Sequence, residues 1–274
     1  MVMKMKKSGK FVTLVGALLL FVFSLSSCNQ AVVNKTLTVN SSIYPEISEL
    51  ESARVDTNML DKWCYADNPY GPYSVHVDIE KDALKLSVLK YYQKPNTHGV
   101  GVNYGYWVGT DFGEFGGYLK FYTDMKSEPT VFSEENCHGI VKVDNDLCYL
   151  LSGKVGMSNN LETTIYKLSR PKDSSEWQSE KVATLNGAVQ AYLYSKEDNS
   201  LYVSTRKALV RVSLTDNAVT TLTAPSYWSD LLTNSMVELD GSLYIGTGMG
   251  VWEYEKETGN SYWFPIDYEK YLSE

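Results

Sequence analysis

Residues 243–247 read LYIGT, and the same five-residue pattern occurs three more times, as LYVST at 201–205, CYLLS at 148–152 and YWVGT at 106–110. The second residue of each segment is aromatic: Trp107, Tyr149, Tyr202 and Tyr244. These aromatics recur about every 40 to 50 residues, the length of one four-stranded blade of a β-propeller. Apolar residues on both sides of the aromatic predict a central strand that is buried on both faces.

The sequence around each segment repeats as well. Hairpin-turn residues precede three of the segments, at 144–146, 197–199 and 240–241, and such residues tolerate the positive φ that tight hairpins require. A further strand-like run follows each segment, at 118–122, 164–168, 209–212 and 251–254, and short edge strands are predicted at 219–222 and 262–264. Four strands in each of four units predict propeller blades. The best helix candidate is a short stretch at 47–60.

The chain before these four units supplies one further predicted hairpin. Two strand-like runs, at 74–80 and 84–92, are separated by a turn at Lys81-Asp82. We expect the C-terminal run at 262–268 to complete this fifth blade and so to remove exposed sheet edges. The predicted fold is therefore an all-β β-propeller of about five four-stranded blades over residues 41–274, with six blades as the alternative.

The first 28 residues indicate how the protein is exported. Four lysines among residues 1–10 precede an apolar run at 11–23, and Leu25-Ser26-Ser27-Cys28 follows it. This is the order of a cleaved signal peptide. The apolar run is shorter than the roughly 20 residues that a membrane-spanning helix needs, which argues against a spanning anchor.

The small residues before the cysteine resemble the lipobox of bacterial lipoproteins. The resemblance implies that residues 1–27 are removed and that Cys28 becomes the first residue, carrying diacylglycerol and palmitate-type acyl chains. Several acyl chains hold a protein firmly at a membrane, and the polar residues that follow, up to 40, are expected to form a flexible tether. Asn29 is not the aspartate that retains enterobacterial lipoproteins at the inner membrane. We expect a lipid-anchored protein of the cell envelope, with an outer-membrane or surface location allowed.

Two of the repeat units resemble a known kind of propeller. Residues 107–110 (WVGT) followed by Tyr118-Leu119, and residues 244–247 (YIGT) followed by Gly250-Val251, are similar to the propeller repeats in extracellular sensor regions of bacterial two-component regulators. The other two units depart from this pattern, because Leu151 and Ser204 replace the glycine. The resemblance implies a propeller fold in an exported protein.

Composition restricts the partners of the protein. The formal net charge is −8 and no basic cluster is visible after the predicted signal peptide, so nucleic acid is an unfavourable partner. The 21 tyrosines and six tryptophans favour half-buried strands, and Tyr202 and Tyr244 are expected to pack between neighbouring sheets. Cys137 and Cys148 flank a hairpin in which residue 142 would lie opposite 148, so a disulfide between them is out of register.

Polar residues precede or open the first strand of each unit. They occur in the sequences His98-Gly99-Val100, His138-Gly139-Ile140, Asn186-Gly187-Ala188 and Asn234-Ser235-Met236. Because this strand is usually innermost in a propeller, the four side chains are predicted to surround one mouth of the central channel, as in a ligand pocket. Ordinary turn chemistry also explains a short polar residue before glycine, and a pair of imidazoles could bind a transition metal.

The sequence contains no recognisable catalytic motif. We find no G-x-S-x-G elbow, phosphate-binding glycine loop or H-E-x-x-H zinc helix, and no cofactor or metal is expected. The sequence therefore favours a non-enzymatic, lipid-anchored propeller that binds a partner protein or an extracellular glycan. The alternative is a glycan lyase or hydrolase that uses His98, His138 and an acid or tyrosine at the channel mouth.

Overall fold

A computed structural model describes residues 55–56, 73–90, 94–124, 126–153, 161–172, 174–248 and 250–265. The chain divides into two units, 1–36 and 37–274, and all described residues belong to the second. The predicted signal peptide (1–27), Cys28, the tether up to residue 40 and Cys64 therefore lie outside the described residues. In the described part, no helix is long and apolar enough to cross a membrane.

The described residues form β-strands and two short 3₁₀-helices, Gly113–Phe115 and Trp228–Leu231. Strand β1 (Val55–Asp56) is followed by a hairpin of β2 (Tyr73–Glu80) and β3 (Ala83–Lys90). Sheet 1 contains β4 (Thr97–Val102), β5 (Gly105–Asp111), β6 (Gly117–Tyr122) and β7 (Thr130–Ser133); sheet 2 contains β8 (Asn136–Lys142), β9 (Leu147–Gly153), β10 (Glu162–Ser169) and β11 (Gln178–Asn186). Sheet 3 contains β12 (Val189–Ser195), β13 (Ser200–Thr205), β14 (Leu209–Ser213) and β15 (Val219–Thr223); sheet 4 contains β16 (Ser235–Leu239), β17 (Ser242–Gly246), β18 (Gly250–Glu255) and β19 (Ser261–Pro265).

Each of the four sheets is an antiparallel meander in which strands adjacent in sequence are paired. The first strands lie beside one another in the order β4, β8, β12, β16 and β2, so the hairpin β2–β3 continues the series beyond sheet 4. This all-β arrangement is consistent with a propeller-like fold. The predicted turn at Lys81-Asp82 is present, and both residues have positive φ, 54° and 61°, as a two-residue hairpin turn requires.

The aromatic residue of each repeated segment packs against the next sheet. Trp107, Tyr149, Tyr202 and Tyr244 are at most 3% exposed. Tyr202 of sheet 3 packs in one cluster with Leu243 and Trp252 of sheet 4, and Tyr244 packs with Val75 and Leu86 of the hairpin. The predicted packing of Tyr202 and Tyr244 between sheets is therefore confirmed.

The glycines of the repeated segment mark places where neighbouring sheets approach closely. A Cβ added at Gly109 would collide with the side chain of Cys137 on β8, and one at Gly246 would collide with the carbonyl oxygen of Val75 on β2. The same region joins the hairpin to sheet 4, because the Val75 amide donates to the carbonyl of Thr247 at 2.8 Å. In these two units a glycine at this position thus allows the next sheet to dock closely, whereas Leu151 and Ser204 occupy the position in the other two units.

Two expectations about the ends of the repeat are wrong. The described part of the C-terminal run, β19, does not complete the hairpin β2–β3; it pairs with β18 as the fourth strand of sheet 4. The short turn between β18 and β19 closes a small loop, which costs less chain entropy than a long connection. Residues 55–56, placed in a predicted helix at 47–60, instead pair as β1 with the open edge of β19.

The two described cysteines are free thiols, as the register predicts. Lys142 lies opposite Cys148, and Cys137 lies opposite Ser152. Both cysteines are fully buried. Burial raises the pKa of each thiol to about 12.

Candidate functional site

A cavity of about 510 Å³ opens at one end of the sheets. Most of its lining residues lie just before the first strand of a sheet or just after the second strand, positions that meet at one edge of an antiparallel meander. They are Lys94, Asp111, His138, Leu161, Ala188, Val189, Gln190, Arg206, Leu232, Thr233 and Asn234. The cavity is therefore assembled from sheets 1 to 3 and the loop that enters sheet 4.

A buried hydrogen bond at the cavity joins sheets 1 and 2. Nδ1 of His138 lies 2.7 Å from Oδ2 of Asp111, and the Gly113 amide donates to the other carboxylate oxygen at 3.0 Å. Burial opposes ionisation of Asp111, but the hydrogen bond from His138, the Gly113 amide and the Lys94 charge outweigh it and lower the pKa of Asp111. Because an ionised carboxylate only accepts hydrogen bonds, the proton of the pair sits on Nδ1.

The second ring nitrogen of His138, Nε2, takes no part in the hydrogen bond with Asp111. Nε2 is buried and has no hydrogen-bond partner among the described residues. In the neutral ring, with Nδ1 protonated, Nε2 is an acceptor. A buried polar atom without a partner costs free energy, and because Nε2 has almost no exposed surface, a ligand in the cavity would reach it only after a local movement.

Lys94 brings a half-buried cation to the cavity. Its Nζ donates to the carbonyl oxygen of Val189 at 3.1 Å. Burial lowers the pKa of Lys94, and the charge of Asp111 acts in the opposite direction. An ammonium group has three N–H donors, so this hydrogen bond leaves donors for a ligand.

Arg206 brings a second cation from sheet 3. Its backbone amide donates to the carbonyl oxygen of Ala188 at 2.9 Å, which places the residue directly after β13. Its side chain is exposed, and among the described residues the guanidinium has no ion-pair or hydrogen-bond partner.

The structure brings two of the four predicted site residues into the cavity lining, His138 and Asn234. Asn234 is buried, and its Nδ2 donates to the carbonyl oxygen of Val75 at 2.9 Å, so it also braces the hairpin β2–β3. His98 is half-buried on β4, close to the charged groups of the cavity but not part of its lining. Burial and the Lys94 charge lower the pKa of His98.

The predicted position of Asn186 in the ring is not observed. Asn186 is exposed at the end of β11, and its Oδ1 accepts a hydrogen bond from Lys207 at 2.7 Å. The first strand of sheet 3 begins only at Val189, so Asn186 belongs to the last strand of the preceding sheet. Gly187, with φ of 98°, makes the turn between the two sheets.

Sequence reasoning missed the charged residues of the cavity. Asp111 and Arg206 each directly follow a repeated segment, YWVGT and LYVST. Gly153 follows the second segment, and a Cβ there would lie 3.2 Å from Nε2 of His138. The position directly after each repeated segment could therefore have predicted residues of the cavity. Lys94 does not occupy a repeated position, so the repeat could not have predicted it.

Apolar side chains are exposed on loops that continue from the cavity lining. Phe115 is 87% exposed on the loop after Asp111, and Leu232 is 51% exposed. The loop is braced from sheet 2, because Nδ2 of Asn136 donates to the carbonyl oxygen of Gly113 at 2.6 Å. Exposed apolar groups beside a polar cavity are typical of binding surfaces.

The described residues contain no group of three or more histidine, cysteine or acidic side chains arranged to hold a metal ion. The lining of the cavity offers two cations, an aspartate–histidine pair and neutral hydrogen-bonding groups. Among the neutral groups, Thr233 donates to Oε1 of Gln190 at 3.0 Å.

No protein-family profile matches the chain, and no curated protein matches it either. Solved structures show weak similarity. A puromycin hydrolase aligns with 72% of this chain and 39% of its own at 12% identity and a TM-score of 0.39. A chain of a nidogen–laminin complex aligns with 73% of this chain and 94% of its own at 8% identity and a TM-score of 0.34. The extracellular domain of a hybrid two-component system from B. thetaiotaomicron aligns with 60% of this chain and 26% of its own at 18% identity and a TM-score of 0.32.

This chain thus spans 39% of the hydrolase and 26% of the two-component protein. At these TM-scores the similarities carry no inference about fold or function. The all-β fold rests on the strand pairing.

Proposed function

We propose that this protein is a non-enzymatic, lipid-anchored β-propeller that binds an extracellular glycan in the cavity beside His138. The observation that carries the proposal is a cavity of about 510 Å³ that is lined by both polar and apolar groups, with exposed apolar side chains on the adjoining loops. Its volume falls in the range of small-molecule sites. We favour a glycan over a partner protein because the proposed site is a cavity. A stable protein interface is instead a broad surface that buries about 800 Å² on each partner.

In this proposal the fold is a propeller of five blades. Sheets 1 to 4 are four of them, and the hairpin β2–β3 begins the fifth. The order of first strands, from β4 to β2, and the packing of Tyr244 against the hairpin support it. A propeller presents loops from several blades at one end of its axis, which suits a site assembled from separate sheets.

The anchor is proposed at Cys28, on the resemblance of residues 25–28 to a lipobox. Labelling cells with a clickable fatty acid tests it. The wild type should be labelled, and Cys28→Ser should remain an unlabelled, uncleaved precursor, because serine offers no thiolate to the lipid. Equal labelling of both proteins would contradict the anchor and leave the glycan proposal untouched.

Glycan binding is tested with the full-length protein in detergent on a glycan array, followed by calorimetry with each glycan that binds. Gln190→Ala removes a side chain of the cavity and should weaken binding. Gln178→Ala is the matched control, because this glutamine is exposed at the start of β11. No binding on the array, or equal losses in both variants, would refute the proposal.

The second candidate function is a glycan lyase or hydrolase, favoured by the Asp111–His138 pair. A carboxylate on Nδ1 orients the ring, and proton exchange with a substrate would take place at Nε2 once a local movement exposes that buried atom. Both reactions generate new reducing ends, which a reducing-sugar assay detects. Product formation that is lost in His138→Gln would establish an enzyme, and binding without product would establish a binding protein.

A further inference from the structure

The fixed charges of the cavity are unbalanced in favour of cations. Two positive side chains line it, Lys94 and Arg206, and its single lining carboxylate is Asp111. That carboxylate is already engaged by His138 and the Gly113 amide. This local excess of positive charge contrasts with the formal net charge of −8 of the whole chain.

From this arrangement we infer that the cavity binds the oxyanion of an acidic saccharide between Lys94 and Arg206. The inference rests on the glycan-binding function proposed above and adds the chemical class of the sugar. The oxyanion is the carboxylate of a uronic acid or the sulfate of a sulfated sugar, which present the same acceptor oxygens to these two cations.

The partial burial of Lys94 costs free energy, and a bound anion would offset this cost. A half-buried ammonium loses part of its hydration, and its hydrogen bond to the neutral carbonyl of Val189 only partly replaces it. Burial accordingly lowers the pKa of this side chain. A bound anion would restore a charge-assisted hydrogen bond, which is about twice as strong as a neutral one.

Arg206 supplies the geometry that an oxyanion requires. Its backbone is held by Ala188, while its guanidinium is exposed and has no partner in the described part of the chain. A guanidinium binds carboxylate or sulfate oxygens through two parallel N–H donors. Both cations therefore retain donors, Lys94 inside the cavity and Arg206 at its border.

Neutral groups beside the cations suit the rest of a sugar. Gln190 contributes an amide and Thr233 a hydroxyl group to the cavity lining. Because a saccharide carries several hydroxyl groups on each ring, it can satisfy such groups while its oxyanion meets the cations.

Calorimetry on the full-length protein in detergent tests the inference with three probes: oligogalacturonate, a sulfated galactan oligosaccharide and a neutral galacto-oligosaccharide of equal length. An acidic probe should bind and the neutral probe should bind at least about tenfold more weakly. Arg206→Gln and Lys94→Gln should each lower the affinity for the acidic probe about tenfold to hundredfold, since each substitution removes a charged hydrogen bond.

Lys207→Gln is the matched control. Lys207 is adjacent to Arg206 and carries the same charge, but it is exposed and donates to Asn186 outside the cavity. Its removal should leave affinity within about twofold of the wild type. Melting temperatures of all three variants establish that each is folded.

Either acidic probe binding with this dependence supports the inference, and the stronger of the two identifies the oxyanion. Equal binding of the neutral probe would overturn the acidic class while glycan binding stands. An acidic probe that binds equally to all variants would overturn the placement between the two cations. Failure of both acidic probes would overturn the inference, and the glycan array would report separately on the proposed function.

Discussion

Replacing Tyr202 by alanine should destabilise the protein strongly without touching the cavity. The ring is 2% exposed and packs with Leu243 and Trp252 of sheet 4, so its removal leaves a void between two sheets. Truncating a buried aromatic costs about 3 to 5 kcal/mol, against a total stability of roughly 5 to 15 kcal/mol. For a domain of this size, each kcal/mol lowers the melting temperature by about 2 to 4 °C, so the expected fall is roughly 6 to 20 °C.

Two further variants separate the ring from the hydroxyl group and from surface effects. Tyr202→Phe keeps the ring but loses the hydrogen bond to Asp198, and should cost about 1 to 3 kcal/mol. Tyr104→Ala removes a ring that is 70% exposed and contacts the Arg170 guanidinium at 4.6 Å, so it should lower the melting temperature by no more than about 4 °C.

Thermal unfolding followed by circular dichroism measures all three variants. If Tyr202→Ala melted like Tyr104→Ala while losing glycan binding, the repeated aromatic would be a binding platform, and the argument for packing would be refuted.

The close approach of β2 to sheet 4 predicts that Gly246→Ala lowers the free energy of unfolding by about 1 to 3 kcal/mol, because its Cβ would collide with the Val75 carbonyl. Urea unfolding measures this, with Gly101→Ala, which meets open space, as a control expected to change little. The Cys137 and Cys148 thiols, with pKa values raised to about 12 by burial, should resist iodoacetamide at neutral pH in the folded protein and react after unfolding. Peptide mass spectrometry shows which cysteines are modified, and rapid native labelling would contradict their burial. The lowered pKa of Asp111 means that the unfolded state binds its proton first as the pH falls, so this group stabilises the fold above its unfolded pKa of about 3.9 and the contribution disappears below the folded value. The decrease in unfolding free energy between neutral pH and about pH 3 should therefore be smaller in Asp111→Asn than in the wild type. Equal decreases in the two proteins would contradict the pairing of Asp111 with His138.

Local information in the sequence is sufficient for the repeated architecture. Each meander is built from strands adjacent in sequence, and its hairpins are determined by turn residues such as Lys81 and Asp82, so alternation, turn chemistry and a regular spacing predict the pairing. The same locality predicted that Cys148 would lie opposite residue 142 and that Tyr202 would be buried. Each of these features depends on residues within one hairpin or on one repeated position.

The site depends on how separate sheets pack, and this the sequence does not determine by itself. Lys94 and Asp111 both lie at the β4–β5 end of sheet 1, where the Asp111 amide donates to the carbonyl oxygen of Asn96. Arg206 comes from sheet 3, and it joins them only because the sheets dock through their buried aromatics. Asn186 was misplaced because a boundary between two strands is ambiguous by a few residues, which is enough to move a side chain from the cavity to the surface. The pairing of β1 with β19 joins residues about 200 positions apart. It becomes possible only when β19 has paired with β18 and its other edge is open. The sequence alone therefore determined the repeating unit, whereas tertiary packing decided which side chains converge, since contacts between sheets depend on the geometry of the whole assembly.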